Sequence, residues 1–182
     1  MKTLRAGQTL NWRQCGWLKR EWELYREADG TRDSLAWLRQ PSLMSSDAEI
    51  RWSENAIAAP FLTLRVRGFL NQRLELVSAD STLPLPSESK SSRSGGLTLT
   101  LADGRVVIWQ PTNFWRTVWE LREEAGPPVM QARSLSWKRG GSLTLTADHL
   151  PQAELWLLVG VCWYQMILQM QRAAAAAAGG GA

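Results

Sequence analysis

The chain has one histidine, two cysteines and, beside 11 tryptophans, only two tyrosines and three phenylalanines. Each scarcity excludes something. A structural zinc site takes four Cys or His ligands, usually in close pairs, and Cys15, His149 and Cys162 supply neither the number nor the spacing. A disulfide framework fails on the same count. A Ser-His-acid or Cys-His catalytic arrangement would have to use His149. Its neighbour Asp148 is better explained as a helix-start cap, since no nucleophile motif accompanies the pair. Gly95-Gly96 and Gly140-Gly141 lack the flanking glycines and the Lys-Ser/Thr ending of a phosphate-binding loop. No apolar run follows Lys2 and Arg5, so no secretory signal is expected, and two cysteines suit a reducing, cytoplasmic setting. A non-enzymatic protein with no cofactor is the expectation.

What is present is an ordinary globular composition. The 182 residues are 45% hydrophobic and 21% charged, which suits one domain. The net charge of +4 comes from 21 basic and 17 acidic residues, well mixed along the chain. Apart from Lys2, Lys19, Lys90 and Lys138, every basic residue is Arg. Nucleic acid is not an expected partner, because a dedicated binder gathers its Lys and Arg into one stripe.

Alternating apolar and polar residues mark strands half-buried in a sheet. The clearest pair runs from Leu97 to Leu101 and from Val106 to Trp109, around Asp103-Gly104. A two-residue type I′ turn there pairs Leu101 with Val106 and Leu99 with Ile108. A second hairpin joins Phe61–Arg67 to Arg73–Ser78, with Val66 against Leu74, Leu64 against Leu76 and Arg65 opposite Glu75. Further strands are expected at Gly7–Arg13, Trp17–Ala28, Ser34–Gln40, Asp47–Ser53, Ser81–Leu85, Arg116–Glu124, Val129–Ser136 and Ser142–Ala147. The Ser-rich stretch Ser87–Gly96 is expected to be a surface loop. A turn-and-strand unit recurs three times: Gly16-Trp17-Leu18 with Trp22-Glu23-Leu24, Gly68-Phe69-Leu70 with Leu74-Glu75-Leu76, and Asn113-Phe114-Trp115 with Trp119-Glu120-Leu121. Three units are too few to close a propeller.

One helix decides the fold class. From Leu155 to Tyr164 every residue is apolar or Gly, and Met166, Ile167, Leu168 and Met170 continue the run. Asp148 is an N-cap candidate, Pro151 suits the first turn, and Glu154 favours the positive end of the dipole. A helix apolar on all sides is either fully buried or in a membrane. A tail anchor over residues 155 to 178 is the membrane alternative. A span needs about 20 apolar residues, and here it would draw Gln171 and Arg172 into hydrocarbon, at a cost of at least ~2.5 kcal/mol for the Arg. Burial is favoured. As a helix, Leu155–Met170 rises about 24 Å, close to the roughly 23 Å of a seven-residue strand. A barrel of about eight strands fills itself with side chains, whereas a larger one needs a plug. The expected fold is mainly β: a closed antiparallel barrel of about twelve strands around a buried hydrophobic C-terminal helix near 150–172. Residues 173–182 form a low-complexity Ala/Gly tail.

The segment from Gly104 through Trp109, Gln110-Pro111-Thr112-Asn113-Phe114-Trp115-Arg116 and Trp119-Glu120-Leu121, followed by the apolar helix, resembles the tubby C-terminal-like superfamily. It is closer to the scramblase-like and LURP-one-related branch. The resemblance implies a twelve-stranded barrel around a central C-terminal helix and an association with phospholipid. The family's basic lipid-binding motif, calcium-binding segment and palmitoylated cysteines have no counterpart in this sequence.

Arginines supply the candidate site. Arg65, Arg67 and Arg73 gather on one hairpin, and Arg67 faces Arg73, a like-charge pair that an anion would relieve. Lys138-Arg139 and Lys19-Arg20 are further basic turns. If these turns share a rim, they form a patch for phosphate or lipid headgroups. The expected partner is an anionic lipid or membrane surface, contacted peripherally. A protein-interaction barrel without lipid specificity is the alternative. The tryptophans at 22, 37, 52, 109, 115, 119 and 137 are expected to pack core and barrel wall.

Overall fold

Alternation does set the strands. In the structure, a computed structural model, residues 2–15, 20–42, 46–55, 60–68, 73–92, 95–135, 140–147 and 149–179 are described. Among them are β1 (Thr9–Gln14), β2 (Glu21–Ala28), β3 (Thr31–Arg39), β4 (Ala48–Trp52), β5 (Leu62–Arg67) and β6 (Arg73–Val77). The second half supplies β7 (Glu88–Ser91), β8 (Leu97–Thr100), β9 (Val106–Pro111), β10 (Val118–Glu123), β11 (Pro128–Leu135) and β12 (Gly140–Leu145). All neighbours are antiparallel, and the ladder runs β6-β5-β4-β3-β2-β1-β12-β11-β10-β9-β8-β7. β1 therefore pairs with both β2 and β12, with Leu10 opposite Leu143.

The two ends of the ladder, β6 and β7, meet without a backbone ladder of their own. Ser89 bridges them instead. Its hydroxyl accepts a hydrogen bond from the Leu74 N–H at 3.0 Å and donates one to the Leu74 carbonyl at 2.5 Å. Leu74 is 3% exposed and Ser89 9%, so buried backbone groups that would otherwise lack partners are satisfied by a side chain. The barrel is nearly closed, and this seam is where it closes.

Its lumen holds α1 (Gln152–Gly179), buried without a break from Glu154 to Leu168. That is the expected consequence of a helix with no polar face. Gly160 sits where the helix comes close to the wall: a Cβ there would lie 3.1 Å from both Ile50 Cδ1 and Leu62 Cδ2. Both ends are pinned. At the first, Gln152 exchanges two bonds with the Leu4 backbone, Trp156 Nε1 donates to the Lys2 carbonyl at 2.8 Å, and Glu154 meets Arg105 at 2.7 Å. At the second, Gln169 donates to the Gly95 carbonyl at 3.2 Å, Gln171 to Gln40 at 2.8 Å, and the Tyr164 hydroxyl to the Ser46 carbonyl. Pro151 provides the first accepting carbonyl, for Leu155 N–H at 2.9 Å; Asp148 lies outside the described residues. The alanine run expected as a tail extends the helix to Gly179, exposed from Arg172 onward.

The β5–β6 hairpin has the expected register, Arg67 opposite Arg73 through Leu64 opposite Leu76. The β8–β9 hairpin does not. Leu101 N–H bonds the Arg105 carbonyl, Gly104 N–H bonds the Leu101 carbonyl, and Gly104 has φ +87. This is a three-residue loop with a left-handed third residue, which only Gly adopts cheaply. The expected two-residue turn is off by one, and a one-residue slip exchanges the faces of the second strand. Val107 and Trp109 point inward, not Val106 and Ile108. Two other expectations are also corrected. Ser81–Leu85 is not a strand, because Asp80 Oδ1 accepts from Thr82 N–H at 2.9 Å and Thr82 Oγ1 at 2.6 Å and turns the chain. The Ser87–Gly96 stretch is not all loop. It contains β7, whose polar sequence hides a strand that uses Ser89 as its inward-facing seam residue.

Candidate functional site

In an up-and-down barrel every odd-to-even connection falls at one end. Here that is the end where α1 emerges: Gly95, between β7 and β8, and Gln40, after β3, both bond its last buried turns. The recurring turn-and-strand unit is explained by this geometry, since its three copies lead into β2, β6 and β10, each from this rim. Trp22, Leu24, Leu74, Trp119 and Leu121 all point inward; the turn residues 16–19 and 69–72 lie outside the described residues.

Arginines collect at this rim. Arg67 and Arg73, both exposed, close the β5–β6 ladder there. Arg20 donates to Gln40 Oε1 at 3.4 Å. Arg116 lies in the β9–β10 turn, and Arg172 follows the last buried turn of α1. Gly95 and Arg172 border both a small pocket shared with Val66 and Leu74 and a cleft of about 450 Å³ shared with Trp115, Arg116 and Met170. The β5–β6 hairpin, the helix exit and the β9–β10 turn thus form one continuous surface. Arg67 pairs with Glu75 at 3.1 Å, diagonally across the ladder, so Glu75 is taken by Arg67 rather than by its direct partner Arg65. Among the described residues Arg65, Arg73 and Arg116 make no ion pair. Lys138, Arg139 and Lys19 lie outside the described residues; the Leu135–Gly140 pair that brackets the first two ends its ladder at this same rim.

The opposite end has the reverse character. Its connections carry Asp29, Glu54, Asp80, Asp103 and Glu124, and its main cations are matched. Lys2 and Arg26 both reach Asp33, at 2.5 and 2.8 Å. Arg105 forms ion pairs with Asp103 at 2.6 Å, Glu123 at 3.0 Å and Glu154 at 2.7 Å. The Lys2 ammonium, followed by Arg26, holds the Asp33 carboxyl below its ordinary range, and the Arg105 backbone N–H and guanidinium do the same for Asp103. Bonds from Asp103, then Glu154 and Glu123, push the Arg105 guanidinium higher still. His149 Nε2 lies 3.5 Å from Glu123, at the edge of this network.

One feature of the basic rim was not expected. Trp115, assigned to packing by its sequence position, is 79% exposed, and Phe114 is 89% exposed. The two rings meet edge to face, 5.3 Å between centroids at 82°. Their turn is braced by hydrogen bonds. Asn113 Oδ1 accepts from Thr117 N–H at 3.0 Å and Val118 N–H at 3.2 Å, while its amide donates to Thr117 Oγ1 at 2.8 Å. Arg116 takes a left-handed φ of 53, unfavourable for a residue with a Cβ, and its carbonyl is held by buried Trp119 Nε1 at 2.8 Å. Asn113 is the signal in the sequence: an Asx residue between two strands opens a turn, and aromatics at its centre are thrown outward.

Cys162 is fully buried, which pushes its thiol well up, and partial burial raises Cys15. Among the described residues no group of three or more His, Cys, Asp or Glu is placed to hold a metal ion. Comparison of the chain with family models, with curated proteins and with solved structures returns no match.

Proposed function

We propose that this barrel is a non-enzymatic binding module that recognises anionic phospholipid headgroups at a membrane surface, and does so through the rim where α1 emerges. The observation that carries this reading is the segregation of charge between the two ends. At one end Lys2, Arg26 and Arg105 are matched to carboxylates; at the other Arg67 pairs with Glu75, while among the described residues Arg73 and Arg116 make no ion pair. Arginine forks suit phosphate and carboxylate, and a negatively charged leaflet attracts each nearby Lys or Arg by about 1 kcal/mol. The resemblance to the tubby C-terminal-like superfamily, whose implied layout this barrel and helix share, points the same way. Binding is peripheral: the apolar helix that composition alone would allow to span a bilayer has 83% of its most apolar window inside the barrel.

Co-sedimentation with vesicles tests the reading. Pelleting should rise with the phosphatidylserine fraction and fall with salt, and R67Q/R73Q should weaken binding about tenfold, from roughly 1 kcal/mol per charge less screening. Absence of binding to anionic vesicles at low salt would overturn it.

A further inference from the structure

The Phe114–Trp115 pair does more than sit near the basic rim: we infer that it is an interfacial wedge, a rigid aromatic tip that enters the headgroup–acyl boundary of the anionic membrane and fixes the barrel's orientation on it. This inference rests on the membrane reading above.

Two observations lead to it. Phe114 and Trp115 are large apolar side chains left almost wholly in water, at 89% and 79% exposure, in a protein whose other described tryptophans are buried or partly so. Neighbouring aromatics in water cost solubility, and a contiguous exposed apolar feature marks an interaction site. The turn that carries them is built to hold them out: Asn113 makes three side-chain bonds within it, and Trp119 ties its strained Arg116 residue to the core. A tip held rigid before binding loses little conformational freedom on insertion.

The occupant follows from what surrounds the tip. Arg116 is the next residue, and Arg172 borders the cleft beside Trp115, so the aromatics stand among cations. An exposed aromatic tip with Arg116 and Arg172 beside it is complementary to an anionic bilayer surface, where Trp settles at headgroup level and Arg remains among the phosphates above it. Binding of this kind sums apolar burial and electrostatic attraction. Salt screens the second and leaves the first. The wedge therefore predicts a salt-resistant component of binding that arginines alone would not give.

The test uses the full chain and vesicles of phosphatidylcholine alone or mixed with phosphatidylserine, at low and high salt, with wild type, F114S/W115S and R67Q/R73Q. The expected result is that F114S/W115S binds mixed vesicles about tenfold more weakly, loses the salt-resistant fraction, and melts at the wild-type temperature because both side chains are exposed. R67Q/R73Q should lose affinity at low salt and keep that fraction. Brominated lipids give a second readout independent of affinity: they should quench part of the wild-type emission, and that part should vanish in W115F. If wild type binds but F114S/W115S is indistinguishable and W115F is quenched as wild type is, the wedge is overturned while the electrostatic reading stands. If wild type binds no vesicle, both fall, and the tip is left to a protein partner.

Discussion

The seam between β6 and β7 gives the sharpest test of how the barrel holds together. Replacing Ser89 with Ala removes one oxygen and leaves the backbone of both strands in place. The Leu74 N–H and carbonyl, at 3% exposure, then lose their partners at 3.0 and 2.5 Å. Leaving a buried donor or acceptor unsatisfied costs about 1–3 kcal/mol per group, so the pair sets an expected loss of about 2–6 kcal/mol. In a chain of this size each kcal/mol lowers Tm by roughly 2–4 °C, and a drop of roughly 4–24 °C should follow. S91A, in the same strand but exposed, is the control and should melt like wild type. Thermal melts followed by circular dichroism measure the difference, and amide hydrogen exchange localises it. The Leu74 amide should exchange far faster in S89A, while amides of the β8–β9 ladder change only with global stability. An S89A protein that melts within a degree or two of wild type, with Leu74 still protected, would show that the seam is closed by something other than this hydroxyl.

Three further outcomes are expected. E154Q weakens the tie between Arg105 and the first turn of α1; because Arg105 is 35% exposed and keeps Asp103 and Glu123, the loss should be about 1–2 kcal/mol in urea unfolding, and a wild-type midpoint would refute the tie. Stability should fall in acid: Asp33 is depressed in the folded state by Lys2 and Arg26, so its contribution is complete above the unfolded value of about 4 and is lost as pH drops through the lower folded value. D33N should start less stable and lose less between neutral and low pH, as read from melts across that range; parallel curves would contradict the assignment. Cys162, buried and raised, should resist iodoacetamide in the folded protein and react only after denaturation, with labelling followed by mass spectrometry; reaction at the rate of a free thiol would mean that the lumen opens.

Much of this architecture could be read from the sequence, for a physical reason. A helix with no polar face from Leu155 to Tyr164 is either buried in protein or in a membrane; the Arg172 beyond it disfavours a span, and strands that alternate can enclose it, so the two patterns together favour a filled barrel. The β5–β6 register was legible because both faces agreed, leucines on one side and Arg65 against Glu75 on the other. The β8–β9 register was not, because Val106, Val107 and Ile108 are all apolar and either face could have been the inner one. The turn chemistry then decides, and Asp103-Gly104 suits loops of two residues or three. That slip hid a role for Arg105. Placed inward by the observed register, it becomes the partner of Glu154. β7 was invisible for another reason: Glu88-Ser89-Lys90-Ser91 buries one small polar residue, and no hydrophobicity pattern reports a strand that ends a ladder through a hydroxyl. At the rim, Arg67 and Arg73 could be named from the sequence but Arg116 and Arg172 could not, since these two come to border one cleft beside the β5–β6 hairpin only through the order of strands. Trp115 was misjudged because tryptophan is usually packed, and only the turn at Asn113 argued otherwise.

The helix that fills the barrel comes after all twelve strands in chain order, and β1 waits for β12 as its second neighbour. The assembly is therefore governed by late, distant contacts: Leu10 finds Leu143, and the lumen gains its contents only once the last element has been made. Contacts of such long sequence separation slow folding, and until they form the inward faces of the twelve earlier strands have nothing to cover them. Such a chain is exposed to aggregation while it is being synthesised. Truncating it before α1 should yield insoluble strands rather than an empty barrel.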